Sequence, residues 1–201
     1  MAADSPSIRF YFDVGSPYAY LTAERLETVI TEPVQWVPVL LGGLFKLTGR
    51  SSWALGDYRR RQIGMAEIER RALSYGLPPM RWPDPWPSDY LTAMRAITYA
   101  FASGRGRAFV QRAYRNAFQR GVDLSIAARV FEAGREVDIP TAELRDALSD
   151  PDIKSALRER TDTAFELGVI GVPTIAIDDE LFWGDDRLED AAAHLRSVTA
   201  A

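Results

Sequence analysis

The sequence contains no cysteine and a single histidine among its 201 residues. Without a thiol, the protein cannot form a disulfide framework or use a Cys-x-x-Cys redox pair. One histidine leaves only carboxylates as further metal ligands, so no metal site is expected. His194 lies in an alanine-rich segment, and Ser16 is not in a Gly-x-Ser-x-Gly motif. These two features argue against a serine hydrolase.

Excess positive charge and long apolar runs are also lacking. The formal net charge is −4, and only two of the 24 basic residues are lysines. Because nucleic-acid binding needs a concentrated basic face, a small-molecule partner is favoured and a nucleic-acid partner is not. No apolar run reaches the roughly 18 residues of a membrane span, and no signal-peptide pattern precedes residue 10. We therefore expect a soluble, cytoplasmic protein that does not bind a membrane.

The N-terminal segment changes from a strand pattern to a helix pattern. Apolar residues alternate over 8–14 and then recur at helical spacing over 19–30. Between these ranges, Ser16 has the residue type of a helix N-cap, and Pro17 suits the first helical position. Ser16 can be a simple cap, or it can hold an anion beside the free N–H groups at the positive end of the helix dipole.

A second motif lies near the C-terminus. Gly168 has the residue type that ends a helix, and Val172-Pro173 comes just before a short apolar strand at 174–177. A Val-Pro bond can be cis at modest cost. A fixed cis bond here would leave the backbone groups of Val172 exposed at the edge of a sheet.

The segment between these motifs is helical in pattern for more than a hundred residues. It includes an arginine run at 59–61 and 70–71, which is typical of a solvated helix face. It also includes a proline-rich connector that carries Trp82 and Trp86. These two indoles can line an apolar substrate wall or pack beneath a loop.

Five segments carry a resemblance that covers nearly the whole chain: 10–21, 41–49, 93–95, 168–174 and 182–188. In them the sequence resembles the DsbA-like thioredoxin superfamily, and within it the 2-hydroxychromene-2-carboxylate isomerase and kappa-class glutathione transferase group. The resemblance implies an α/β, thioredoxin-like fold with a large all-helical insertion. Residues 1–42 and 150–201 would form the thioredoxin-like domain, and residues 43–149 the insertion.

The resemblance also implies a site for glutathione or another low-molecular-weight thiol. In this family, the serine at the place of Ser16 bonds to the glutathione sulfur. The residue before the cis-proline, Val172 before Pro173, pairs through its backbone with the cysteinyl part. The pair matching Asp185 and Asp186 receives the γ-glutamyl ammonium group.

Residues for the remaining ligand groups are predicted less directly. Arg50 stands where many kappa-like members have asparagine, and its guanidinium can bind the glycyl carboxylate. Aromatic side chains such as Tyr18 and Trp82 or Trp86 would face a flat substrate ring. Lys46 or an arginine would contact the substrate carboxylate.

The resulting hypothesis is a glutathione-dependent isomerase of the 2-hydroxychromene-2-carboxylate type, which is expected to be a homodimer. As the mechanism of the family is understood, the thiolate adds to a conjugated substrate, the adduct opens and rotates, and elimination returns the thiol. One alternative is a kappa-like glutathione transferase or peroxidase. Another is a catalytically silent thioredoxin-like module that binds a ligand.

Overall fold

The computed structural model describes residues 6–200, and these form one four-stranded mixed sheet with helices on both faces. Within this range, the sheet has the order β2-β1-β3-β4. Its strands are β1 (Ile8–Phe12), β2 (Gln35–Pro38), β3 (Thr174–Ile177) and β4 (Glu180–Trp183). β1 and β2 are parallel and are joined by helix α1 (Pro17–Val29), whereas β3 is antiparallel to both β1 and β4. The sheet is thus built from both ends of the sequence.

The central strand β1 is buried on both of its faces. Phe10 and Phe12 belong to the larger apolar core, whereas Tyr11 belongs to a second cluster on the other face. Phe10 pairs with Trp36 of β2 and with Ile175 of β3. The alternation at 8–14 therefore marks a strand, but its intervening positions do not all face solvent.

Helices account for most of the remaining chain. They are α2 (Leu41–Thr48), α3 (Tyr58–Ser74), α4 (Leu91–Ala102), α5 (Gly106–Arg120), α6 (Ala127–Arg135), α7 (Thr141–Ser149), α8 (Pro151–Glu166) and α9 (Leu188–Thr199). Within residues 6–200, no helix is both long and apolar enough to cross a bilayer.

The larger core continues from the sheet into the helical segment. The ring of Phe12 lies 6.0 Å from that of Phe101 and 6.3 Å from that of Tyr114, measured between centroids. The division into 1–42 with 150–201 and 43–149 therefore stays a prediction. Residues 1–5 and 201 of that division lie outside the described residues.

Gly64 on α3 provides a test of how this helix packs. A Cβ at Gly64 would lie 2.2 Å from Cζ3 of Trp53, whereas a Cβ at Gly42 on α2 would have no neighbour within 4 Å. We expect Gly64→Ala to lower the free energy of unfolding by about 1–3 kcal/mol, because the indole must move. The control Gly42→Ala should raise it by about 0.5–1 kcal/mol. Urea denaturation followed by tryptophan fluorescence measures both, and equal stabilisation would contradict this packing.

Candidate functional site

A cavity of about 680 Å³ opens beside the start of α1. Its volume falls within the roughly 300–1,000 Å³ that small-molecule sites occupy. Its walls come from distant parts of the chain. The lining includes residues from the segments 13–18, 41–45, 52–55, 86–90, 171–173 and 183–186, together with Arg71. The cavity thus lies between the sheet and the helical segment.

Ser16 lines this cavity and is also the N-cap of α1. Its Oγ accepts a hydrogen bond from the backbone N–H of Ala19 at 3.2 Å. The same hydroxyl donates to the carbonyl of Val172 at 3.5 Å, which is long for an O–H donor. The cap therefore uses a lone pair of the oxygen and leaves the hydroxyl proton weakly engaged. Capping and anion binding by Ser16 are compatible.

Val172 and Pro173 line the cavity on the side that Ser16 faces. The peptide bond between them is cis, which confirms the prediction from the sequence. The backbone of Val172 thus lies at the cavity edge, within reach of the Ser16 hydroxyl.

Asp185 and Asp186 both line the cavity, but their environments differ. Asp185 is only 1% exposed, and its two oxygens accept hydrogen bonds from Nη1 of Arg71 at 2.9 Å and from the hydroxyl of Tyr75 at 3.0 Å. Burial raises the pKa of Asp185, and the Arg71 charge opposes that rise. The side chain of Asp186 is 60% exposed. Its Oδ2 lies 3.6 Å from Nη1 of Arg71, and of the two carboxylates it is the more exposed one.

Arg71 is a cavity residue that the sequence pattern had assigned to a solvated helix face. Its Nε donates to Glu67 at 2.9 Å and its Nη1 donates to Asp185, so the guanidinium is fixed at two points. Across residues 6–200, no protein group accepts a hydrogen bond from its Nη2. The guanidinium carbon lies 5.8 Å from the ring centroid of Tyr18. Arg71 therefore presents an oriented donor to the cavity.

Asp13 is a second cavity residue that sequence reasoning missed. It is 5% exposed, and its Oδ1 and Oδ2 accept hydrogen bonds from the backbone N–H groups of Gly15 and Leu41, both at 2.8 Å. Burial raises the pKa of Asp13 to about 6, and the Asp89 carboxylate adds to the rise, whereas the two N–H donors oppose it. The pKa of this carboxyl group in the cavity wall thus lies well above that of an ordinary aspartate.

Aromatic side chains form the apolar wall. Tyr18 and Trp86 line the cavity, as do Trp53 and Tyr90, which the sequence analysis had not singled out. The Trp53 ring lies 5.6 Å from that of Trp86 and 6.3 Å from that of Tyr18, between centroids. The ring of Tyr90 packs so closely on Gly15 that a Cβ there would lie 2.4 Å from Cδ2. Such a wall suits a flat ring.

Three predicted contact residues lie outside the residues that line the cavity. The indole N–H of Trp82 donates to Glu69 at 2.6 Å, so this side chain packs behind the wall. Lys46 is on the exposed face of α2. Arg50 is exposed as well, with its guanidinium carbon 5.4 Å from the ring centroid of Trp183, whose side chain belongs to the lining.

Comparison with known proteins identifies the same architecture. A family model described as DSBA-like thioredoxin domain matches residues 7–196. A solved 2-hydroxychromene-2-carboxylate isomerase superimposes with a TM-score of 0.80 at 23% identity, covering 96% of this chain and 97% of that one. The cytosolic disulfide reductase DsbM from Pseudomonas aeruginosa, solved with GSH, superimposes with a TM-score of 0.68 at 19% identity, covering 97% and 100%. The predicted thioredoxin-like fold class is thereby confirmed.

Sequence relatives point to the same group. A 2-hydroxychromene-2-carboxylate isomerase from Sphingobium xenophagum is 26% identical, and the match covers 94% of this chain and 97% of the relative. A protein named glutathione S-transferase kappa 2 from Caenorhabditis elegans is 24% identical, over 94% of this chain and 91% of the relative. The chain is therefore similar over nearly its full length to both kinds of protein.

The pairing of Arg71 with buried Asp185 predicts a pH-dependent loss of stability. We expect Arg71→Ala to lower the free energy of unfolding by about 2 kcal/mol or more at neutral pH, because it leaves a buried carboxylate without its cation. The loss should shrink as the pH falls and Asp185 becomes protonated, since burial raises its pKa. The control Arg70→Ala breaks only a surface pair with Glu67 and should cost less than about 1 kcal/mol. Urea denaturation at neutral and acidic pH distinguishes the two, and equal losses in both variants would exclude this role of Arg71.

Asp13 should make stability fall as the pH rises. Its pKa is about 6 in the folded protein, against about 3.9 for an unfolded chain. Between these two pH values the folded protein therefore binds more protons than the unfolded chain. The stability that protonation of Asp13 contributes is lost as the pH rises through about 6. Relative to Asp13→Asn, the wild-type free energy of unfolding should fall by up to about 3 kcal/mol between about pH 4 and pH 7. Urea titrations of both proteins across this range test it, and a difference independent of pH would refute it.

Proposed function

Because the chain belongs to the DsbA-like thioredoxin domain family, we propose that it is a glutathione-dependent isomerase of the 2-hydroxychromene-2-carboxylate type. The observation that carries the proposal is the Ser16 hydroxyl. It lies at the N-terminus of α1, inside a cavity of ligand size, and faces the cis Val172–Pro173 edge. Glutathione would supply the nucleophilic sulfur that adds to the substrate and later leaves it.

Ser16 has the physical means to hold a thiolate. Lowering a thiol pKa by two units requires about 2.7 kcal/mol of preferential stabilisation of the anion. A hydrogen bond to a charged group contributes roughly 1.5–3 kcal/mol, and a helix N-terminus adds roughly 0.3–1 kcal/mol. The hydroxyl proton of Ser16 is available for this bond, because its present contact with Val172 is long and the cap uses the oxygen lone pair.

The other ligand groups find matching partners around the cavity. The backbone of Val172 would pair with the cysteinyl part, and the exposed carboxylate of Asp186 would accept from the γ-glutamyl ammonium group. The Nη2 of Arg71 would donate to the carboxylate of the γ-glutamyl group, which is next to that ammonium group. Asp185 keeps the guanidinium oriented. Arg50, outside the lining, would contact the glycyl carboxylate from the rim. The residues present thus fit a γ-glutamyl thiol.

The aromatic wall would bind the substrate ring. Tyr18, Trp53 and Trp86 give an apolar surface that excludes water from a flat conjugated carboxylate. Lys46, which lies outside the cavity lining, or an arginine would contact the substrate carboxylate. A cytoplasmic location and a homodimeric state complete the proposal.

A kappa-like glutathione transferase or peroxidase is the second candidate, and similarity to a kappa-named relative over nearly the full length favours it. The two reactions share the thiolate held by Ser16 and differ in the last step. An isomerase returns free glutathione, whereas a transferase keeps the carbon–sulfur bond in its product. Product analysis with 2-hydroxychromene-2-carboxylate and with an aryl halide as substrates separates them.

The variant Ser16→Ala tests the proposal directly. Isothermal titration with glutathione and an ultraviolet difference spectrum near neutral pH measure binding and thiolate. Wild type should bind and show the thiolate, and Ser16→Ala should lose the thiolate signal and at least about tenfold in turnover, since one charged hydrogen bond is removed.

A matched control separates this effect from lost capping. Asp150 caps α8 by accepting from the N–H of Asp152 at 2.8 Å, away from the cavity. Ser16→Ala and Asp150→Ala should each lose about 1 kcal/mol of stability, but Asp150→Ala should keep the thiolate. Absence of glutathione binding by wild type would refute the proposal and favour a ligand-binding module without catalysis.

A further inference from the structure

Asp13 is a buried titratable group that the proposed chemistry leaves unused. It lines the same cavity as Ser16, and the backbone N–H of Ser16 donates to its carbonyl at 3.0 Å, so the two residues belong to one turn. Hydrogen bonds of 2.8 Å from Gly15 and Leu41 hold its two carboxylate oxygens in place. A fixed carboxylate therefore lies in the cavity wall three residues before the proposed thiolate partner.

The groups that face Asp13 do not neutralise its charge. The segment before α4 contributes the Asp89 carboxylate and the phenol of Tyr90, and α5 contributes Tyr114, whose hydroxyl donates to the Asp13 carbonyl at 3.0 Å. Burial raises the pKa of both phenols, so both are neutral at physiological pH. The starts of α1 and α2 contribute only backbone N–H groups. Within the described part of the chain, Asp13 takes part in no ion pair.

A thiolate at Ser16 would add a second negative charge to this environment. Two anions close together in a site of low dielectric constant cannot both be ionised without a large penalty, so their protonation becomes coupled. The raised pKa of Asp13 means that its carboxylate accepts a proton more readily than an ordinary aspartate does. Asp13 is thus suited to take up a proton when the sulfur loses one.

We propose that Asp13 and the ligand sulfur share one negative charge, so that the thiol ionises at Ser16 while Asp13 becomes protonated. This inference rests on the proposed function. The S–H bond breaks, its electron pair stays on sulfur, and one proton is gained by a carboxylate oxygen of Asp13, so that nothing is oxidised or reduced. Asp13 then acts as a positioning residue that fixes the charge of the site and keeps the thiol proton on the enzyme.

Proton counting tests this coupling. Glutathione is titrated calorimetrically into the full-length protein near neutral pH, in phosphate and in Tris, because the dependence of heat on buffer gives the protons released. The ultraviolet difference spectrum gives the thiolate formed. For wild type we expect close to no proton released for each thiolate, and for Asp13→Asn close to one. The apparent pKa of the bound thiol should change little in Asp13→Asn, because the protonated Asp13 of wild type and the amide are both neutral groups beside the sulfur.

Two controls show whether the protons counted come from the thiol and from Asp13. Asp152→Asn removes an exposed carboxylate on α8 outside the cavity lining and should release protons as wild type does. S-methylglutathione cannot form a thiolate and should bind without proton exchange beyond that of its other groups. If Asp13→Asn does not fold, the wild-type count decides alone.

The outcomes separate this inference from the proposed function. Full release of one proton for each thiolate by wild type would overturn the coupling while leaving the glutathione site intact. An Asp13→Asn count equal to that of wild type would overturn it as well. Absence of both heat and thiolate with wild type would instead overturn the proposed function, and with it the inference.

Discussion

The hydrogen bonds from Gly15 and Leu41 to the Asp13 carboxylate are the contact on which the site depends. Gly15 precedes α1, and Leu41 begins α2, so one side chain joins the starts of two helices that follow different strands. The N-cap of α2 is Leu40, which makes no side-chain cap. Asp13 supplies the missing acceptor from another segment. This contact therefore fixes the position of Ser16 relative to the residues of α2 that line the cavity.

The same contact explains why position 13 has an acidic side chain rather than a neutral amide. Gly15 donates to Oδ1 and Leu41 donates to Oδ2, so an asparagine, which has an NH2 donor in place of one of these oxygens, would lose one of the two bonds. Burial then penalises the charge and raises the pKa of Asp13. The raised pKa of Asp13 is thus a consequence of joining two helices through a carboxylate at a buried position.

Much of the fold could be predicted because its signals are local. The change of period around Ser16, the Val172-Pro173 dipeptide and the strands at both ends of the chain are visible in short windows of sequence. Arg71 was missed because an arginine run is typical of a solvated face, although Ile68 and Ala72 form the buried stripe of α3 beside it. Its partner Asp185 is 114 residues away, and no local pattern carries that pairing.

The helical segment and the sheet contribute different parts of one site. Ser16 and Val172 belong to the sheet side, whereas Trp53 and Arg71 come from the helical side. Asp185 links the two sides, because it accepts from both Arg71 and Tyr75 of the α3 region. These bonds orient the donor proposed for the ligand head group and also anchor the helix that packs on Trp53. The Asp185 bonds to Arg71 and Tyr75 therefore join the sheet side of the cavity to the helix that packs on Trp53.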